Sequence, residues 1–198
     1  MSNIFIFDDN PLRFATDPRW ADEVLANFDS FLQDHAAAEK KASGMALSMI
    51  SHYPDRKALV EKMTALAIEE LQHFREVVKW LHKRKQTLAA DQKDQYVIGL
   101  RNEIRQGKSY YFLDRLLTAA AIEARGCERF SLVAHALPTG ELADFYHAIA
   151  RSEARHYHLF YELALNYFDE REVTIRFDEL LDAEAHIASA MPINPALH

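Results

Sequence analysis

Four stretches of this chain place an acid where an amphipathic helix should carry leucine. Glu39 falls on the stripe Leu25, Phe28, Leu32, Ala36, Glu39, Ser43, Ala46 and Ile50; Glu70 and His73 fall on Leu59, Met63, Leu66, Val77 and Leu81. Glu123 falls on Leu113, Leu116, Ala120, Cys127, Phe130 and Leu137; Glu153 and His156 fall on Leu142, Phe145, Ile149, Phe160 and Leu163. Apolar residues recurring at steps of three and four mark one buried helix face. Such a chain must therefore bury four carboxylates and two imidazoles in its core. A buried carboxylate without compensation costs several kcal/mol, so the fold has to supply a partner for the set.

The pattern is a lone glutamate followed by a Glu-x-x-His pair, given twice. Each member of the second copy lies 83 or 84 positions after its counterpart: Glu39 and Glu123, Glu70 and Glu153, His73 and His156. A spacing of three puts Glu and His on one face, about one turn apart. Measured from turns near Tyr53 and Thr139 at about 1.5 Å of rise per residue, the four glutamates reach similar depth. Two single Glu and two Glu-x-x-His pairs are the donor set of carboxylate-bridged dinuclear sites in four-helix bundles, and oxygen with imidazole suits divalent iron or manganese. The spacing thus predicts Glu39, Glu70, His73, Glu123, Glu153 and His156 as ligands of two metal ions, iron or manganese. Any one of these residues alone reads more readily as a surface side chain; the set on four core stripes does not. Asp144 and His147 share the spacing, but Asp144 lies opposite Glu153 on its helix at about 100° per residue and is left out.

Asp17 followed by Pro18 is a helix start. The stripes predict bundle helices over about 18–51, 55–85, 108–137 and 140–168, with Asp55 starting the second and Pro138, Thr139 and Gly140 turning into the fourth. A further helix over about 173–190, with Ile175, Leu180, Leu181 and Ile187, packs on the outside. Residues 1–16 read as an extended arm, with the apolar run Ile4 to Phe7 ending in a turn at Asn10 and Pro11. Gln86 to Lys108 is too long for a hairpin and suits a crossover, with Tyr96, Ile98, Leu100 and Ile104 supporting a short helix. The predicted fold is all-α: a single ferritin-like domain over 1–198, a four-helix bundle with a long crossover and an additional C-terminal helix.

A net charge of −7 argues against a general nucleic-acid coat and leaves room for a local basic patch. The single cysteine excludes an internal disulfide and a Cys-x-x-Cys iron site. No apolar stretch reaches the roughly 18 residues of a membrane span, and no signal segment opens the chain. The expectation is a cytoplasmic protein with no membrane partner. Cys127 reads as a buried filler and Glu69 as a partner for a liganding imidazole. Lys79, Lys83, Arg84 and Lys85 read as a solvated helix C-terminus.

The segments DHAAAEKKASGMALSMI (Asp34 to Ile50), LAIEELQHFREV (Leu66 to Val77), IEARGCERF (Ile122 to Phe130) and SEARHYHLF (Ser152 to Phe160) resemble the tRNA 2-methylthio-N6-isopentenyladenosine hydroxylases. The resemblance spans roughly Asp17 to Phe168 and includes neighbours such as Lys40, Lys41, Arg125, Arg129 and Arg155. It implies a ferritin-like non-haem diiron monooxygenase with the six residues above as iron ligands. It further implies O2-dependent hydroxylation of an isopentenyl side chain on a hypermodified adenosine beside the tRNA anticodon, with electrons from an external reductase. Small residues around Glu123 (Ala119, Ala120, Gly126 and Cys127) leave room for O2 and a prenyl group. Lys40, Lys41, Lys83, Arg84, Lys85, Arg101 and Arg125 are expected at the mouth of the site, facing tRNA. The alternative reading is a ferritin-like diiron oxidase or ferroxidase acting on iron or a small molecule.

Overall fold

Helical periodicity runs through almost the whole chain, and the computed structural model, which describes residues 10–198, forms seven helices and no strand among them. They are α1 (Arg19–Ala26), α2 (Phe28–His52), α3 (Lys57–Lys83), α4 (Gln95–Asn102), α5 (Lys108–Ala136), α6 (Glu141–Tyr167) and α7 (Glu170–Ala190). The run Ile4 to Phe7 lies outside the described residues. The expected turn after it is present: Asn10 Oδ1 accepts a hydrogen bond from Leu12 N at 3.0 Å.

The chain divides into two compact units. One holds α2 and α3, with Ala26–Gln92 and Pro195–Leu197; the other holds the residues up to Leu25, then Lys93–Asn194 and His198. In the first unit α2 and α3 form an antiparallel pair that buries Leu32, Ala36, Ala46 and Met49 against Leu59, Met63, Leu66 and Val77. Ser43 Oγ donates to Ala67 O at 2.8 Å and ties the two helices together beside their acids. In the second unit α5 pairs with α6, and α7 packs on α5, α4 and α6.

Three boundaries depart from the sequence expectation. The first long helix is broken at Asn27, whose backbone leaves the helical region (φ −126°, ψ 41°), so α1 and α2 are separate; asparagine competes for backbone hydrogen bonds and favours such breaks. Asp17 does start α1, accepting from Arg19 N at 2.9 Å. Asp55 does not cap α3, which begins at Lys57 after Arg56 with no side-chain cap. Helix α7 begins at Glu170, earlier than expected, because Asp169 accepts from Arg171 N at 3.0 Å. Its buried face is Val173, Phe177, Leu180, Leu181 and Ala188 together with Arg176 and Glu184, while Ile175 points to solvent.

The crossover contains α4 as expected. Asp94 caps it by accepting from Val97 N, and Tyr96 and Leu100 bury against Ala188 of α7 with Phe14, Ile122, Ile187 and Met191 around them. Gly99 allows the close approach: a Cβ there would stand 3.1 Å from Ile187 Cγ2.

Helix α7 brings a buried cation to the second unit. Arg176 donates from Nε (3.0 Å) and NH2 (2.9 Å) to Asp114, which also accepts from the backbone N and the guanidinium of Arg105, each at 2.8 Å. Burial pushes the Asp114 carboxyl up, but the bonds from Arg105 and Arg176 outweigh it and hold the group below 3.8. A depressed carboxylate adds stability that is present above the unfolded value near 4 and is lost as pH falls through the folded pKa. Thermal melts are therefore expected to fall steeply in wild type as pH drops below about 4, with a shallower fall in Asp114→Asn, whose melting point is lower at neutral pH.

Candidate metal centre

The first unit holds one set of three donors. Glu39 stands on α2 and Glu70 and His73 on α3, at the stripe positions where the sequence placed them, and both acids are buried. His73 Nδ1 lies 3.5 Å from Glu39 Oε2 and 3.4 Å from Glu70 Oε2. Each of the three offers a ligand atom within 4.8 Å of the others.

The electrostatics show what such a site lacks without a cation. Burial, then the charge of Glu70, pushes the Glu39 carboxyl well above its ordinary 4.5, with His73 acting in the opposite direction. Burial works against a charged His73 ring, yet the hydrogen bonds and charges of Glu39 and Glu70 lift it to about 10. Two carboxylates thus crowd one cavity and draw a proton onto the imidazole. A divalent cation among the three satisfies both carboxylates and takes the imidazole as a neutral donor, so the residues fit the iron or manganese expected of them.

A residue the stripe reading passed over belongs to this set. His35, one turn before Glu39 on α2, is fully buried, and its Nε2 lies 2.6 Å from Glu39 Oε1. Burial, with the charge of His73 added, pushes its pKa down to about 3, so the ring is neutral. The signal in the sequence was a histidine four residues ahead of a core glutamate. Glu69, expected as a partner for a ligand imidazole, has Oε1 4.0 Å from His73 Nε2 and is partly exposed.

The second unit holds the matching set. Glu123 on α5 and Glu153 and His156 on α6 are all buried. His156 Nδ1 lies 3.4 Å from Glu153 Oε2 and 3.8 Å from Glu123 Oε2, and the three again offer ligand atoms within 4.8 Å of one another. The far ring nitrogen, Nε2, faces Ser152 Oγ at 3.5 Å, and that hydroxyl accepts from Arg155 NH2 at 3.0 Å. A ligand histidine is oriented by the partner of its other nitrogen, and Ser152 is placed for that task.

Around Glu123 and Glu153, Ala119, Ala120, Ala124 and Cys127 are buried, and Gly126 sits against Glu153, whose Cγ would be 3.6 Å from an added Cβ. Burial, with the charge of Glu153 second, raises the Cys127 thiol to about 12, which makes it a filler rather than a nucleophile. The rejected pair is indeed elsewhere: Asp144 is exposed and His147 packs its ring against His135 at 5.2 Å.

The basic residues expected at the mouth are mostly engaged within the chain. Arg125 is fully buried, held by Glu128 and Glu184 and by the carbonyl of Phe14. It is a core cation, so the expectation that it faces tRNA is withdrawn. Lys40 pairs with Asp91 at 2.8 Å, Lys41 donates to Gln92 O at 2.8 Å, and Arg84 pairs with Asp29. Lys83 stacks over Trp80 at 4.1 Å and Lys79 pairs with Glu76, as suits a helix C-terminus.

The family model for tRNA-(MS[2]IO[6]A)-hydroxylase (MiaE) matches residues 5–198. The chain belongs to this family. The match extends beyond the Asp17–Phe168 span of the quoted segments. A relative from Pseudomonas putida, named tRNA 2-(methylsulfanyl)-N(6)-isopentenyladenosine(37) hydroxylase, is 38% identical over 158 residues, covering 80% of this chain and 77% of its own. A relative of the same name from Salmonella typhimurium is 34% identical over 131 residues, 66% of this chain, which spans about half (48%) of that protein's length. Among solved structures, a protein from Synechococcus described as having aldehyde deformylating oxygenase activity matches with a TM-score of 0.88 at 32% identity, over 94% of each chain. The fold is all-α and ferritin-like, as the stripes and the crossover predicted. No helix among the described residues is long and apolar enough to cross a membrane.

Proposed function

We propose that this protein is a cytoplasmic tRNA-modifying monooxygenase that hydroxylates the isopentenyl side chain of a hypermodified adenosine. The observation that carries the reading is the buried Glu and Glu-x-x-His set, present once in each compact unit of a chain that belongs to the MiaE family. In this reading the six residues are the ligands of two iron ions. Glu39, Glu70 and His73 hold one iron ion, and Glu123, Glu153 and His156 hold the other. Iron held by these residues would supply O2 activation; the overall reaction would take two electrons from an external reductase, place one oxygen atom in an allylic C–H bond and release the other as water.

The chain's own residues supply placement and a dry surrounding. The four carboxylates provide the negative charge that two divalent cations require, and Ser152, 3.5 Å from the far nitrogen of His156, orients that imidazole. Ala119, Ala120, Gly126 and Cys127 keep the wall beside Glu123 small and apolar, the surface a prenyl group fits. The oxygenase activity in the name of the Synechococcus neighbour favours oxygen insertion over iron storage for this site.

The test is nucleoside analysis of tRNA from cells with and without the protein. The hydroxylated isopentenyl nucleoside is expected only where the protein is present, with the unhydroxylated form accumulating in its absence; equal hydroxylation in both would contradict the assignment. Ala120→Phe fills the proposed prenyl wall and is expected to lower kcat/KM by at least about 100-fold, a loss of roughly 3 kcal/mol of transition-state binding, with metal content unchanged.

A further inference from the structure

The two copies of the ligand pattern differ at the buried position one turn ahead of the lone glutamate. His35 Nε2 lies 2.6 Å from Glu39 Oε1, while the other oxygen, Oε2, is the one that faces His73 Nδ1. The position one turn ahead of Glu123, which corresponds to His35 in the repeat, is Ala119, buried and with no polar side-chain atom. A carboxylate with one oxygen held by an N–H has the other left for a cation, and its rotation about the terminal torsion is arrested.

We propose that His35 is a positioning residue that restricts Glu39 to ligation through Oε2, making the Glu39, Glu70 and His73 set the tighter and more rigid of the two metal positions. Glu123, with alanine in the corresponding place, retains the use of both oxygens. The inference rests on the dinuclear reading above and adds an order to it: the position beside His35 fills first, and changes in coordination fall to the position beside Ala119. The same outer partner that orients a ligand commonly changes metal affinity by about 10–100-fold when removed.

The test is titration of the full-length apoprotein with Co(II), followed by visible absorption and calorimetry, with far-UV circular dichroism as the check on folding. Wild type is expected to take up two equivalents in two steps. In His35→Leu the first step weakens by about 10–100-fold and its absorption spectrum changes, while the second step keeps its affinity and spectrum. His35→Gln keeps an N–H donor on a side chain of similar reach and is expected to return the first step to within about 3-fold of wild type. A folded His35→Leu with both steps unchanged, or with both weakened alike, overturns the inference alone. Should His35→Leu lose helicity, His35→Gln decides: a first step near wild type supports the role, and a first step lost from a folded protein overturns it. A wild type that binds fewer than two equivalents overturns the inference and the dinuclear reading together.

Discussion

In a chelator, Glu70→Gln is expected to be more stable than wild type by about 1–2 kcal/mol, and with Fe(II) or Mn(II) added the order reverses. Glu70 is fully buried, and its charge is the second cause, after burial, of the raised Glu39 carboxyl. A carboxyl whose folded pKa is raised contributes stability below the ordinary glutamate range and loses it as pH rises. At neutral pH the apoprotein therefore holds two carboxyl groups close together in one buried space, with His73 beside both. The amide of glutamine keeps the shape of the side chain and removes one charge, so Glu39 and His73 become a simple ion pair. The same change removes a ligand. Wild type should gain stability with metal, about 2.7 kcal/mol at one hundred times its Kd, and the variant little or none. Hydroxylation should fall by several orders of magnitude. Urea unfolding with and without chelator reads both signs. A Glu70→Gln protein less stable than wild type in chelator would show that the three donors are balanced without a metal.

The second large effect lies away from the donors. Replacing Arg125 by Met is expected to cost about 3–5 kcal/mol, the cost of breaking a buried ion pair from one side. For a chain of this size that is a fall in Tm of roughly 6–20 °C. Arg125 is fully buried and donates to Glu184 Oε1 from Nε (2.9 Å) and NH2 (2.7 Å), to Glu128, to Phe14 O (2.9 Å) and to Thr16 Oγ1 (3.2 Å). Without it, Glu184 keeps Tyr96 OH (2.9 Å) and Glu128 keeps Thr16 N (2.9 Å) and Thr16 Oγ1 (2.7 Å), and the pair of buried carboxylates loses the cation that bonds to both. Lysine does not rescue, because a point charge cannot span partners that a planar fork reaches in several directions. The double variant Arg125→Met with Glu184→Leu should recover part of the loss. Thermal melts of the three variants test this, and a fall equivalent to less than 1 kcal/mol for Arg125→Met would mean that its carboxylates are not compensated through it.

Arg125 also marks the limit of what the sequence could say. Glu128, three residues on, was visible as a neighbour on the same helix, but Glu184 on α7 comes from 59 residues away and no local spacing announces it. The four stripes were legible because a helix face repeats at a fixed interval and acids on it stand out. His35 was missed because it lies beside the stripe through Leu32, Ala36 and Glu39, and its meaning depends on the fully buried position that the fold gives it. Helix ends were least legible: Asn27 and Asp169 act through backbone geometry, and Ile175 faces solvent because α7 is rotated so that Arg176 can reach Asp114.

Two sets of three donors, one in each unit, are proposed to hold two metal ions. Anomalous diffraction at the iron edge from crystals of the iron-reconstituted protein tests this most directly. Two peaks of comparable height are expected, one bounded by Glu39, Glu70 and His73 and the other by Glu123, Glu153 and His156. A single peak, or iron bound away from either set, would contradict the proposal.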